Sequence, residues 1–143
     1  MSRQQFTKTP IVLPKRCIKA KKYYSSFIPI IKVSEFNERN YGILQNMTKD
    51  DVDKKFNSKQ IYEWRRGFYS GPIDGETFEQ VYCRVKKFYD SYLLSVLKEK
   101  DVLIVAHQNT IRALYMIIYD ISKDDIPKIE FPNGKLIFID KFK

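Results

Sequence analysis

One histidine in this sequence stands where phosphate chemistry is possible. His107 follows DVLIVA (101–106), a continuous apolar run typical of a buried parallel strand, and a helix is predicted directly after it. A helix N-terminus presents free backbone N–H groups and a partial positive charge, so it binds phosphate readily. A histidine placed there can donate a hydrogen bond to a phosphoryl oxygen and stabilise charge in transfer. The residues alone leave open that His107 only caps a structural turn.

Two adjacent arginines and one glutamate extend this chemistry. Arg65 and Arg66 stand where a predicted helix meets the glycine-rich stretch GFYSGPIDG, and guanidinium groups match carboxylate and phosphate geometry in a bidentate way. Both can reach one ligand only if the helix ends there, because neighbouring helix residues do not share a face. Glu38, in FNERNYG, can act as an acid–base or form an ion pair. Solvated arginines and a surface salt bridge are the alternatives that these residues leave open.

The elements that must position these residues alternate between strands and helices. Short apolar, β-branched runs predict strands at 27–34, 101–106 and 135–140. Helical spacing predicts helices at 48–56, 58–68, 76–99 and 110–120, the first introduced by a capping box of Thr48 and Asp51. Residues 67–75 are predicted to be loop, and residues 1–24 a solvated, Lys-rich segment. The order predicts an α/β fold with a mostly parallel sheet, whose ligands sit off the carboxyl ends of the strands.

Composition limits the class of protein. The chain has 143 residues, 43% of them hydrophobic, which is enough for the core of one domain over 1–143. The net charge of +9 favours anionic partners, namely phosphorylated metabolites, nucleic acid or acidic lipid. One histidine and two separated cysteines, Cys17 and Cys83, argue against a structural zinc site and a disulfide scaffold. No apolar run approaches a membrane span and the N-terminus has no signal-peptide pattern, so we expect a soluble cytoplasmic protein.

Five segments occur in an order and spacing that resemble a known family: FNERNYGILQ, WRRGF, GETFEQVYCRV, VLIVAHQNTIRAL and PNGKLIFID. Over about residues 33–140 the chain resembles the cofactor-dependent phosphoglycerate mutases of the histidine phosphatase superfamily. Their pattern runs L-N-E-R-H-Y-G-x-L-Q-G-L-N-K, W-R-R-S-Y, G-E-S, A-A-H-G-N-S-L-R-A-L and P-T-G. The resemblance implies a three-layer α/β fold with helices on both faces of the sheet. It also implies interconversion of 3-phosphoglycerate and 2-phosphoglycerate through a phosphohistidine, with 2,3-bisphosphoglycerate as primer and no metal.

The resemblance also assigns roles to individual residues. Glu38 matches the family's proton donor and acceptor, and His107 matches the second active-site histidine, which stabilises the transferring phosphoryl group. Arg65 and Arg66 match the pair that grips the substrate carboxylate. The other residues matched to substrate binding are Arg3, Arg39, Asn40, Tyr41, Lys49, Gln108 and Asn109.

The sequence departs from the family pattern at several positions. It has no R-H-G motif, which carries the family's nucleophile, and its one histidine already matches the other role. Gln108 replaces the glycine beside that histidine, and Asn40 replaces the histidine of E-R-H-Y. We therefore expect the first strand and helix of the family fold to be missing, either because the chain is a fragment or truncated gene product or because it is a degenerate relative.

Two functions from different classes follow. The first is a phosphoglycerate mutase of glycolysis, inactive in this chain for want of the nucleophile. The second is a non-catalytic phosphate-binding pseudoenzyme or interaction module on the same fold, because fold does not imply function. Both take a small phosphorylated metabolite as partner and allow a homo-oligomer. Nonspecific nucleic-acid binding through the basic residues 15–24 is the weakest reading.

Overall fold

A computed structural model describes residues 11–14, 29–132 and 134–139. Within these ranges a three-stranded sheet is formed by β1 (Ile11–Pro14), β2 (Ile30–Val33) and β3 (Leu103–Ile104), in the order β2-β1-β3. Both pairings are parallel, as predicted, with Ile11 opposite Ile30 on one side and Leu103 on the other. Arg3, the basic residues 15–24 and the place of a first helix before β2 lie outside the described residues.

The central strand β1 corrects the expectation for the N-terminal part of the chain. Residues 1–24 were expected to be a solvated segment with no strand ahead of residue 27, and for Ile11–Pro14 this is wrong. The strand has only three apolar residues before Pro14, too few for a periodic signal. Its pairing with β2 and β3, which are distant in sequence, defines it.

The described residues form five α-helices: α1 (Lys49–Lys55), α2 (Ser58–Arg66), α3 (Phe78–Phe88), α4 (Leu94–Leu97) and α5 (Gln108–Tyr119). The predicted capping box at the start of α1 is confirmed, since the Thr48 hydroxyl accepts from the Asp51 N–H and the Asp51 carboxylate accepts from the Thr48 N–H. The long helix predicted over 76–99 is confirmed with a change of geometry, because a π-helical turn at Tyr89–Leu93 joins α3 to α4.

The core lies where α3 packs on α5. Both helices contribute fully buried apolar side chains, among them Val81 and Val85 from α3 and Ala113 from α5. Phe36, in the turn after β2, is fully buried and meets Phe88 edge to face at 5.5 Å. This burial fixes α3, on which α5 packs, against the segment that follows β2, and that segment carries the residues predicted to do chemistry.

The predicted last strand is wrong over residues 135–139, which form no regular structure and pair with none of the described strands. Leu136 and Phe138 are exposed there, Phe138 to 84%. The short apolar run that predicts a strand is stabilised as one only where a neighbouring strand pairs with it and other side chains pack on it. Residue 140, the end of that prediction, lies outside the described residues. The strands predicted at 27–34 and 101–106 are present but shorter.

Gly42 joins the segment after β2 to the glycine-rich loop 67–75. Its φ is +50°, and a Cβ built on it would lie 2.0 Å from the Ile73 carbonyl oxygen. The Ile43 N–H donates to the same carbonyl at 3.1 Å. Only glycine permits both this dihedral angle and this close approach of backbones.

We predict that Gly42→Ala lowers the free energy of unfolding by about 3–5 kcal/mol, because the added methyl meets backbone that cannot move aside. Gly134→Ala is the matched control, since Gly134 also has a positive φ of +72° but nothing within 4 Å of a built Cβ. The control should cost about 1–2 kcal/mol. Urea unfolding followed by circular dichroism measures both, and equal losses would contradict the steric account.

Candidate active site

His107 is the N-cap of α5, directly after the strand and turn that the sequence predicts. Its carbonyl accepts the first helical hydrogen bond, from the Ile111 N–H at 3.0 Å. Its side chain makes no capping bond and is 63% exposed. The alternative in which His107 serves only to cap a turn is therefore not supported, because the imidazole stays accessible to a ligand at the helix N-terminus.

Glu38 lies beside His107 and is held in place by α5. The His107 Nδ1 is 3.8 Å from Glu38 Oε2. The Asn109 amide donates to Glu38 Oε1 at 3.1 Å and to the Tyr41 hydroxyl at 2.8 Å. The Arg39 N–H also donates to Glu38 Oε1, at 2.6 Å. One carboxylate oxygen is thus oriented by two donors while the other faces the imidazole, an arrangement suited to moving a proton.

A cleft of about 510 Å3 adjoins this group at Tyr41 and Asn109, and neither Glu38 nor His107 is among its lining residues. Six of the residues predicted from the sequence line it: Tyr41, Lys49, Arg65, Arg66, Gln108 and Asn109. The other lining residues are Leu44, Gln45, Met47, Val52 and Arg112. The cleft thus combines four cationic side chains with the start of α5, a composition that favours an anionic ligand.

The two adjacent arginines reach the cleft because α2 ends where they stand. Arg66 is the last helical residue, and the Gly67 N–H closes the helix on the Glu63 carbonyl at 2.8 Å. Arg65 is exposed, and its side chain has no hydrogen bond or ion pair within the described ranges. Arg66 donates to the Pro127 carbonyl at 3.2 Å and to Glu130 Oε1 at 2.7 Å. The helix end predicted from the glycine-rich stretch is confirmed.

Arg112 is a cleft residue that the sequence pattern did not reveal. It is buried, its Nε donates to the Ile129 carbonyl at 2.7 Å, and its Nη2 has no partner among the described residues. Burial lowers the pKa of Arg112, and the nearby charge of Arg66 lowers it further. Its position in the sequence is the one clue to its location, because Arg112 lies four residues after Gln108 and therefore on the same helix face. The clue is weak because most other residues of 110–120 are apolar.

The Arg39 guanidinium is used within the protein, and the substrate contact that the resemblance implies for Arg39 stays a prediction. Its side chain is 2% exposed and is used within the protein, with Nε donating to the Glu76 carbonyl at 2.7 Å and Nη2 to the Ser70 carbonyl at 3.0 Å. Burial lowers the pKa of this guanidinium. It also lies 5.5 Å from the centre of the Tyr41 ring. Arg39 therefore positions the segment around Glu38 and is not among the residues that line the cleft.

Asn40 has a similar positioning role. Its side-chain oxygen accepts from the Gly42 N–H at 2.8 Å and from Gln45 Nε2 at 2.9 Å, which folds the turn after Glu38. It does not line the cleft. The substrate contact that the resemblance implies for Asn40 stays a prediction.

The GETFEQVYCRV segment contributes an ion pair that holds the same turn from the other side. Arg84 donates to both carboxylate oxygens of Glu76, at 2.9 and 3.1 Å, and to the Glu35 carbonyl. Glu76 Oε2 also accepts from the Asn40 N–H at 2.8 Å. Both side chains of the pair are mostly buried. The segment was recognised in the sequence as a motif, but this function of it was not.

Across the described residues, no cluster of three or more His, Cys, Asp and Glu side chains is arranged to hold a metal ion. None of the described helices is long and apolar enough to cross a membrane.

Comparison with known sequences gives consistent matches. The model of the histidine phosphatase superfamily (branch 1) matches residues 15–141. The 2,3-bisphosphoglycerate-dependent phosphoglycerate mutase of Methanosarcina acetivorans is 39% identical over 111 residues, 77% of this chain and 45% of that protein. The mutase of the same name from Cytophaga hutchinsonii is 41% identical, over 75% of this chain and 51% of its own length. The phosphoglycerate mutase of Schizosaccharomyces pombe is 40% identical, over 73% and 50%. The chain spans about half the length of these relatives.

Solved structures resemble the chain in fold. "Mycobacterial hydrolase 1" superposes with a TM-score of 0.72 at 18% identity, covering 85% of this chain and 63% of that one. A mycobacterial glucosyl-3-phosphoglycerate phosphatase in complex with VO3 gives 0.71 at 18% identity, with the same coverage. YhfR of Bacillus stearothermophilus gives 0.70 at 19%, covering 86% and 62%. At these identities the likeness concerns the fold alone.

We predict that Arg84→Gln lowers the free energy of unfolding by about 2–3 kcal/mol, because it leaves the mostly buried Glu76 carboxylate short of two charged donors. Lys86→Gln is the matched control on the same helix, since Lys86 pairs with Asp90 at 2.8 Å but both side chains are about half exposed. The control should cost about 0.3–0.5 kcal/mol. Urea denaturation measures both variants. A loss for Arg84→Gln no larger than the control's would mean that the pair does not support the turn.

Proposed function

The chain belongs to the histidine phosphatase superfamily, and on that premise we propose that its cleft binds a phosphoglycerate as a phosphoglycerate mutase of glycolysis does. The reaction of that lineage is the interconversion of 3-phosphoglycerate and 2-phosphoglycerate, and the part proposed for these 143 residues is binding of the ligand and stabilisation of its charge. One observation carries the proposal: Lys49, Arg65, Arg66 and Arg112 line a single cleft that ends at the α5 N-terminus. A small molecule with a carboxylate at one end and a phosphate at the other matches this distribution of charge. The mutase names of the relatives support the same substrate class.

Each end of the ligand has its own part of the site in this proposal. The carboxylate lies against the arginines at the end of α2, where guanidinium groups offer paired donors. The phosphoryl group lies at the N-terminus of α5, beside His107 and the backbone N–H groups that no helical carbonyl accepts. His107 then donates to a phosphoryl oxygen and stabilises the charge that develops during transfer.

Glu38 moves the proton in this scheme. Where a phosphohistidine is supplied, a substrate hydroxyl oxygen would bond to phosphorus as the phosphorus–nitrogen bond breaks, and the Glu38 carboxylate would accept the hydroxyl proton. In the reverse direction Glu38 would return that proton to the substrate oxygen as the phosphorus–oxygen bond breaks. The donors from Asn109 and Arg39 hold the carboxylate oriented throughout. The positive cleft fits 2,3-bisphosphoglycerate, for which Arg65 and Lys49 would be the free counter-charges. That primer, when bound, supplies the phosphoryl group for transfer.

The single histidine sets a condition on this mechanism. Transfer through a phosphohistidine needs a nucleophile, and His107 is the only histidine in the sequence and is proposed for charge stabilisation. We therefore propose that these 143 residues bind phosphoglycerate without turning it over. The same observation favours the second candidate, a non-catalytic phosphate-binding module whose ligand is a small phosphorylated metabolite. A homo-oligomer and a cytoplasmic location remain predictions.

We predict that Arg65→Ala weakens 3-phosphoglycerate binding about ten- to a hundred-fold, because a charge-assisted hydrogen bond to an ionised ligand contributes about 1.5–3 kcal/mol. Lys87→Ala is the control, since Lys87 is an exposed cation on α3 that does not line the cleft. It should change binding less than twofold. Isothermal titration calorimetry measures both, and equal losses would reduce the binding to nonspecific electrostatics.

We also predict no mutase turnover by this chain in a coupled assay primed with 2,3-bisphosphoglycerate. The expected rate equals the background without protein. Turnover at the level of an ordinary metabolic enzyme, abolished by His107→Ala, would show that His107 is the nucleophile and that its proposed role is wrong.

A further inference from the structure

The two adjacent arginines of the cleft are not equivalent. The Arg65 side chain makes no hydrogen bond within the described ranges, whereas each terminal nitrogen of Arg66 already donates one hydrogen bond within the protein. Its Nη1 donates to the Pro127 carbonyl at 3.2 Å and its Nη2 to Glu130 Oε1 at 2.7 Å. Arg66 keeps further N–H donors, but its Nη2 edge and its charge are already paired with Glu130, so a ligand carboxylate that approaches this edge meets Glu130 there.

Glu130 is held close to the cleft by the segment around it. That segment begins with a 3-10 turn, Ile126–Lys128, whose first residue is buried in the core. Arg66 donates to the Pro127 carbonyl and Arg112 to the Ile129 carbonyl, so the two arginines hold the backbone on both sides of Lys128, the last residue of the turn. The position of Glu130 therefore follows from packing and backbone bonds as well as from its own ion pair.

The negative charge of Glu130 stabilises two guanidinium groups, those of Arg66 and Arg112. The hydrogen bond from Arg66 lowers the pKa of Glu130, so the carboxylate is ionised at neutral pH. Arg66 and Arg112 repel each other, and Glu130 opposes that repulsion at Arg112. Arg112 also keeps one buried donor, Nη2, without a partner among the described residues. A ligand anion in the cleft would oppose the repulsion between Arg66 and Arg112 in the same way as the Glu130 carboxylate does.

We propose that Glu130 is a built-in competitor that occupies the place of a ligand carboxylate on Arg66 until a ligand displaces it. The inference rests on the proposed function and deepens it, because it names the residue that sets the affinity for the carboxylate end of the ligand. Binding exchanges one carboxylate for another on the guanidinium, and Glu130 moves into water. The exchange is feasible because the Glu130 side chain is 64% exposed and exposed ion pairs contribute little.

The test is calorimetric titration of 3-phosphoglycerate and, separately, of malonate, a dicarboxylate without phosphate. The variants are Glu130→Gln and Asp124→Asn, which remove one negative charge each from the same exposed stretch of chain. Among the described residues Arg66 has its hydrogen bonds and ion pair with Pro127 and Glu130 and none with Asp124, so the Asp124 variant controls for net charge. Glu130→Gln in an Arg66→Ala background tests whether the effect passes through Arg66.

Glu130→Gln should tighten both ligands about fivefold, the effect of removing an exposed ion pair. Asp124→Asn should change them less than twofold, and Glu130→Gln should bring no gain once Arg66 is absent. The proposal would be overturned if Glu130→Gln gained no more affinity than Asp124→Asn, if its gain in affinity persisted without Arg66, or if it bound the ligands more weakly than the wild type.

The two ligands separate this inference from the proposed function. If the wild type binds 3-phosphoglycerate and Glu130→Gln leaves both affinities unchanged, the inference is wrong and the proposed function stands. If malonate binds more tightly to Glu130→Gln while no variant binds 3-phosphoglycerate, the proposed function is wrong and the competition stands. If neither ligand binds any variant, both are wrong.

Discussion

Asn109 joins the two halves of the candidate site. It is buried in the first turn of α5, and its amide reaches out to Glu38 and Tyr41 on the segment after β2. A buried amide with satisfied donors is rigid, because losing either partner would leave a desolvated group unpaired. Thr110 adds a second link, with its hydroxyl donating to the Asn37 carbonyl at 3.1 Å. The separation of Glu38 and His107 depends on these bonds.

The packing beneath the site serves this connection. Helix α3 fixes α5 through the apolar core, and its Arg84 holds Glu76, which in turn binds the backbone at Asn40. Gly42 lets the same turn lie against the glycine-rich loop. Elements far apart in sequence thus meet at one short segment. Four cationic side chains share the adjoining cleft, and burial together with the charge of Arg66 lowers the pKa of Arg112. The Ile129 carbonyl, which accepts from Arg112, and the negative charge of Glu130 stabilise this buried guanidinium.

The parts of this arrangement that the sequence predicts are those with a local cause. A strand, a turn and a helix around His107, the cap at Thr48 and the end of α2 at Gly67 each depend on a few neighbouring residues. The family motifs then identified six of the residues that line the cleft. The failures have a tertiary cause. Strand β1 depends on its two partner strands, and residues 135–139 form no strand because none of the described strands pairs with them. The burial of Arg39 likewise depends on carbonyls that are distant in sequence.

In the proposed complex the cleft binds a phosphoglycerate with its carboxylate at the arginines and its phosphoryl group at the start of α5. A crystal structure of the chain grown with 3-phosphoglycerate would show the position of both groups. We predict a phosphoryl group within hydrogen-bond distance of His107 and the first N–H groups of α5, and a carboxylate on Arg65 and Arg66. A ligand bound with the opposite orientation, or seated outside the cleft lined by Lys49 and Arg112, would contradict this prediction.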